Sequence, residues 1–194
     1  DRAVSSINDG LYSIAVERGI GQVVGQFERM PDTFLREIEL HAALFQALQQ
    51  QEMLAETYIT DDGRRTDLVH RHYPPFAPRN GAHRRPHDIV VLNPRFARSY
   101  PLDIVANRES SGDAISCVPT PYGLEREERP VPLLATVRLC LVQDLLGHTL
   151  DELEEALWIL EDTREAEWAK RCYMGIFCRH WDLEEHLHRA LPTL

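Results

Sequence analysis

His87-Asp88-Ile89-Val90-Val91-Leu92-Asn93-Pro94 decides the architecture. Its middle is continuously apolar and rich in β-branched residues, so it reads as a short strand buried on both faces. Pro94 has no amide hydrogen to continue a ladder, and it ends the strand. Leu133-Leu134-Ala135-Thr136-Val137-Arg138-Leu139-Cys140-Leu141-Val142 reads the same way, and Arg171 to Arg179 (RCYMGIFCR) reads as a third central strand. Buried strands separated by helical segments predict an α/β protein with a central mixed sheet flanked by helices.

Upstream of Asp88, Glu56 to Thr60 is a short strand and Asp61-Asp62-Gly63 a turn. Asp67 to Tyr73 is a further strand, stopped by Pro74-Pro75. Met30-Pro31-Asp32-Thr33 reads as a helix start with Asp32 or Thr33 as cap, and the helix runs to about Gln50. Phe34, Ile38, Phe45 and Leu48 make its apolar stripe. Glu37 and His41 fall on the flank of that stripe and Glu39 points away. An acid on an apolar flank needs a partner or a metal, and His41, at i, i+4, is a local partner. The chain opens with a helix from Arg2 to Arg18 that Gly19-Ile20-Gly21 breaks or ends. The glycines from Gly19 to Gly25 follow a helix rather than a strand, at the wrong spacing for a dinucleotide loop.

Downstream, Arg95 to Pro132 reads as irregular, with one short helix at Leu102 to Asn107. Ser110 to Asp113 and Glu125 to Pro130 are exposed tips. Thr149-Leu150-Asp151-Glu152 starts a helix whose apolar side is Leu153, Ala156, Leu157 and Leu160. Leu183 to Leu191 is a short final helix.

With 194 residues, the chain reads as one domain, 1–194. It comprises a helical extension (1–30), a core (31–181) and a C-terminal helix (182–194). No apolar stretch approaches the roughly 20 residues of a membrane helix. Cys117, Cys140, Cys172 and Cys178 show no CxxC spacing. With no export signal they read as reduced thiols, and the compartment as cytoplasmic. A net charge of −10 opposes tight non-specific binding to phosphate. The arginines nevertheless gather in the middle: Arg64, Arg65, Arg71, Arg79, Arg84, Arg85, Arg95, Arg98 and Arg108. They are a solvated loop surface or a phosphate-facing edge beside Asp88.

Three local patterns carry a resemblance: Glu37-x-x-Leu40-His41-x-x-Leu44, Leu68-Val69-His70-Arg71-His72-Tyr73-Pro74, and His87-Asp88-Ile89-Val90-Val91-Leu92. In this order, followed by strand, helix and strand, the chain from about Thr33 to Trp181 resembles the PD-(D/E)XK nuclease superfamily. The resemblance implies a restriction-endonuclease-like αβββαβ core, here with an extra N-terminal helix. It also implies a magnesium-dependent site: an aspartate on one strand, and a glutamate and a lysine two residues apart on the next. Asp88 matches the aspartate. The next strand offers two alignments, with Thr136 and Arg138, or Arg138 and Cys140, at the glutamate and lysine positions. Neither restores a carboxylate.

The candidate site is therefore Asp88, Glu37 and Arg138. Asp88 and Glu37 would be the metal ligands if magnesium binds; Arg138 would stabilise phosphate or pair with Asp88. Asp103 and Glu152 are lesser substitutes for the missing acid. The expected function is a non-catalytic binding or assembly module on a nuclease fold, with no cofactor. The alternative is an active magnesium-dependent nuclease with a relocated carboxylate. A third is a scaffold that dimerises through exposed apolar helix faces. Expected partners are a nucleic acid along the arginine-rich middle, a second copy, or another protein, and no membrane. His70, His72, His83 and His87 suggest a separate zinc site. Trp158, Trp168 and Trp181 read as core or interface anchors.

Overall fold

The computed structural model describes residues 2–59, 63, 65–73, 87–99, 102–106, 115–119, 131–143, 147–165 and 167–179. The elements are α1 (Arg2–Arg29), α2 (Glu37–Gln49), β1 (Thr57–Ile59), β2 (Arg65–Asp67), β3 (Val69–Tyr73), β4 (His87–Leu92), α3 (Pro94–Ser99), β5 (Leu102–Ala106), β6 (Ile115–Pro119), β7 (Leu133–Val142), α4 (Gly147–Glu165) and β8 (Ala169–Cys178). A mixed four-stranded sheet has the order β3-β4-β7-β8. β4 runs antiparallel to β3 and to β7, and β8 runs parallel to β7. α4 is the crossover that a parallel pair requires.

All six residues of β4 are buried, as its unbroken apolar run predicts. β7 and β8 alternate between two helical layers. Cys140, Val142, Met174, Ile176 and Cys178 pack with Leu150 and Leu153 of α4. On the opposite face, Phe177 meets Phe27 of α1 edge-on at 5.0 Å, and the Tyr173 hydroxyl donates to Glu17. α2 packs against α1 and against β3, β4 and β7.

Several elements differ from the sequence reading. α1 does not stop at Arg18; it continues through Gly19-Ile20-Gly21 to Arg29. Gly19 is needed for packing. A Cβ there would stand 2.6 Å from Leu48 Cδ2, so its absence lets α1 and α2 approach. Val16, Val23 and Phe27 join the main core, so α1 is part of the fold and not only an extension. Pro31–Thr33 forms one 3-10 turn, and α2 begins at Glu37. Glu39 accepts the backbone N–H of Arg36 at 3.0 Å and so closes the helix start. Leu40, His41, Leu44, Ala47 and Leu48 are the buried side of α2, while Ile38 is exposed.

The strand expected at Asp67 to Tyr73 is divided between β2 and β3. The helix expected at Leu102 to Asn107 is instead β5, paired antiparallel with β6. Ile104 and Val105 favour that outcome. α4 starts at Gly147, two residues before Thr149. The final helix, Trp181, Glu125 to Pro130 and Ser110 to Asp113 lie outside the described residues.

Candidate functional site

The site lies where β4 and β7 part. Their ladder runs from Leu92–Leu133 to Ile89–Val137, with an irregularity at Val91/Leu92. Past Val137, among the described residues, β7 remains paired with β8 alone, through Val142. Its amides on the β4 side then need other acceptors. Two carboxylates supply them. Asp88 Oδ2 accepts the Leu139 N–H at 3.1 Å, and Glu37 Oε2 accepts the Leu141 N–H at 3.3 Å. Side chains thus complete a ladder that the backbone of β4 leaves open.

Arg138 is the next member. Its Nη1 is 3.3 Å from Asp88 Oδ1, with 12% and 11% of the two side chains exposed. In this setting the pair is a desolvated ion pair, in which each charge depends on the other. Cys140 shares the Arg138 side of β7 by strand alternation. Its thiol is pushed up to about 12, chiefly by burial, with Glu37 adding to the effect and Arg138 opposing it. Thr136 is buried, is paired opposite Val90, and shares a hydrogen bond of 3.1 Å with His87 Nδ1.

His41 faces both acids. Its Nε2 is 3.6 Å from Asp88 Oδ2 and 3.7 Å from Glu37 Oε1. Only 7% of its side chain is exposed, and neither ring nitrogen has a hydrogen-bond partner. The local Glu37–His41 pair expected from spacing is therefore one side of a wider cluster. His72 closes the outer side, its ring 6.0 Å from that of His41. Burial raises the Glu37 carboxyl above its ordinary range; the Leu141 amide and His41 oppose that rise. Glu37 sits in the first turn of α2, where the helix dipole favours an anion.

Asp88, Glu37 and Arg138, the three residues singled out in the sequence, thus gather at one place. Glu152 is exposed on α4, and only the backbone of Asp103 is described, in β5 opposite Val118. Sequence reasoning missed the link of His41 to Asp88 and the parts played by Leu139 and Leu141. The only signal for His41 was its spacing from Glu37.

The histidine set does not assemble as expected. His70 Nε2 bonds the Asp67 carbonyl at 2.7 Å, His87 bonds Thr136, and His83 lies outside the described residues. Among the described residues, no group of three or more His, Cys, Asp and Glu side chains could hold a metal ion. Of the middle arginines, Arg65, Arg71 and Arg95 are exposed, and Arg71 covers the Phe45 ring at 4.9 Å. The side chains of Arg64, Arg79, Arg84, Arg85, Arg98 and Arg108 lie outside the described residues. No disulfide joins Cys140, Cys172 or Cys178. Trp168 packs on the core, whereas Trp158 is 54% exposed. Among the described residues, no helix is long and apolar enough to cross a membrane.

Comparison with protein-family models, with curated proteins and with solved structures gives no significant match to this chain.

Proposed function

We propose that the chain is a restriction-endonuclease-like protein whose hydrolytic site is closed, and that it serves as a binding or assembly module. The order α2, β3, β4, β7, α4, β8 supports the fold, with the β5–β6 hairpin as an insertion between β4 and β7. One observation carries the functional reading: the Arg138 guanidinium rests on Asp88. The nearness of Arg138 to Asp88, and the burial of Thr136 against His87, favour the second alignment. Arg138 then stands where the family has its acid, and Cys140 where it has its lysine. A cation of the chain replaces the residue that would have held a cation.

Magnesium, which the resemblance implies, takes oxygen ligands in near-octahedral geometry and keeps several waters. Here Asp88 gives one oxygen to Arg138 and the other to the Leu139 amide, while Glu37 gives one to Leu141. The nearby third donor is an imidazole nitrogen. These residues do not fit magnesium. An arginine is also a poor proton shuttle, because it stays charged at any working pH. The alternative, a magnesium-dependent nuclease with Glu37 as the relocated ligand, draws on the convergence of Glu37 and Asp88 upon His41.

Tag-free protein incubated with single- and double-stranded DNA and RNA, with magnesium, separates the two. The proposed reading expects no cleavage above that of Asp88→Ala. Magnesium-dependent cleavage that Asp88→Ala abolishes would establish the alternative.

A further inference from the structure

The two edges of the main sheet are built differently. β3 forms one edge and β8 the other. β3 has five residues, and its ladder with β4 skips His72, whose backbone is left-handed at φ 50°. Pro74-Pro75 follows at once. A short, irregular strand ended by proline is a poor template for a further strand. β8 has none of these guards. It has ten residues, in continuous register with β7 from Ala135–Arg171 to Val142–Cys178. From Cys172 to Cys178 it contains neither a charge nor a proline; Lys170 and Arg171 stand at its start. Among the described residues, no strand pairs with its outer side.

The remaining exposure of β8 is on that side. Its two faces are covered: Met174, Ile176 and Cys178 pack with Leu150 and Leu153 of α4, while Tyr173 and Phe177 meet Glu17 and Phe27 of α1. Yet Cys172 to Ile176 are all half-buried, whereas every residue of β4, a central strand, is buried. The backbone has the same open side. The Leu139 and Leu141 amides turn to Asp88 and Glu37, so by alternation Arg138 and Cys140 present their amides and carbonyls to β8. In the parallel register Tyr173, Gly175 and Phe177 answer them, and Cys172, Met174 and Ile176 direct their N–H and C=O groups outward.

An outward row of backbone groups on an uncharged strand is a template for another extended strand. The sequence of β8 suits antiparallel pairing with itself across a two-fold axis. With the axis at Met174, Lys170 comes opposite Cys178 of the other copy, Arg171 opposite Phe177, Cys172 opposite Ile176, and Tyr173 opposite Gly175. No charge meets a like charge, and each Tyr173 ring covers the bare backbone of a glycine. An axis at Gly175 would instead set Arg171 against Arg179.

We propose that the outer edge of β8 is the interface between two copies of this chain, with β8 antiparallel to β8 and the four strands of each copy joined in one continuous sheet. The interface is isologous, as a two-fold dimer requires. The Asp88 site takes no part in it.

Sedimentation velocity of the tag-free full chain over a range of concentrations tests this. The expected result is a monomer–dimer equilibrium. Met174→Pro removes both hydrogen bonds at the axis and spares the β7 ladder, because the Met174 amide faces away from β7. It raises the dissociation constant at least about tenfold. Met174→Ala trims the same side chain but keeps the amide, and it dimerises more tightly than Met174→Pro. Hydrogen exchange of the unaltered chain needs no variant: the amides of Cys172, Met174 and Ile176 slow as rising concentration converts monomer to dimer. A wild type that stays monomeric or forms open-ended aggregates would overturn the proposal. So would equal affinities of the proline and alanine variants, or exchange in β8 that ignores concentration.

Discussion

Arg138 Nη1 lies 3.3 Å from Asp88 Oδ1, on the strand that follows β4 in the sheet, and neither side chain is more than 12% exposed. The contact closes the gap where β4 and β7 separate. On the reading proposed above, it puts a cation of the chain where the resemblance implies a metal ion.

Removing one partner leaves a buried charge. Arg138→Gln should destabilise the protein by about 3 kcal/mol. Asp88→Asn with Arg138→Met removes both charges and keeps an acceptor for the Leu139 amide, so it should recover most of that loss. Urea denaturation of wild type, Asp88→Asn, Arg138→Met and the double variant measures the coupling. Strict additivity would mean that the contact contributes nothing.

Two glycines of α1 should respond in opposite directions. A Cβ at Gly19 would meet Leu48 at 2.6 Å, whereas one at Gly21 meets nothing within 4 Å. Gly21→Ala should stabilise by about 0.5–1 kcal/mol through helix propensity alone. Gly19→Ala gains the same term and loses more by forcing α1 from α2, a net cost of about 1–2 kcal/mol. Thermal denaturation of the pair reads the difference.

Glu37 gives a pH dependence with a definite sign. Its folded-state carboxyl is raised by burial. Its contribution to stability is therefore complete below the unfolded value and is lost as pH rises through the folded one. Wild type should lose stability relative to Glu37→Gln as the pH rises through and above the ordinary glutamate range. The glutamine keeps an acceptor for Leu141. Parallel denaturation curves across that range would contradict the assignment.

Cys140 should be inert while the chain is folded. Its thiol is pushed up to about 12, and the thiolate is the reactive form. A disulfide-exchange reagent near neutral pH should label Cys140 only at the rate of unfolding, as peptide mapping after a timed pulse would show.

The strands were legible where burial is two-sided. β4 announces itself by the apolar run Ile89 to Leu92, and β7 by one that only Thr136 and Arg138 interrupt, because both faces must satisfy a core; β8, at the sheet edge, is mostly half-buried. Asp88 and Arg138 could be named through the resemblance, and Glu37 because an acid on an apolar flank demands a partner. What stayed hidden depends on tertiary context. Gly19 breaks an isolated helix but permits close packing against Leu48. The run at Leu102 to Ala106 is short, so its period does not separate helix from strand; the pairing with β6 decides. The carboxylates' acceptor role at Leu139 and Leu141 follows from the end of the β4–β7 ladder, which no local pattern marks. His41 looked like the partner of Glu37 alone, since Asp88 is distant in sequence.

The central claim is that Arg138 and Cys140 occupy the positions of an acid and a lysine, so that the chain carries a cation where a magnesium ion would sit. Calorimetric titration with Mg²⁺ of wild type and of the Arg138→Glu/Cys140→Lys variant tests it most directly. The account predicts no binding heat for wild type and a saturable, one-equivalent signal for the variant. Magnesium binding by wild type that the double substitution fails to strengthen would contradict it.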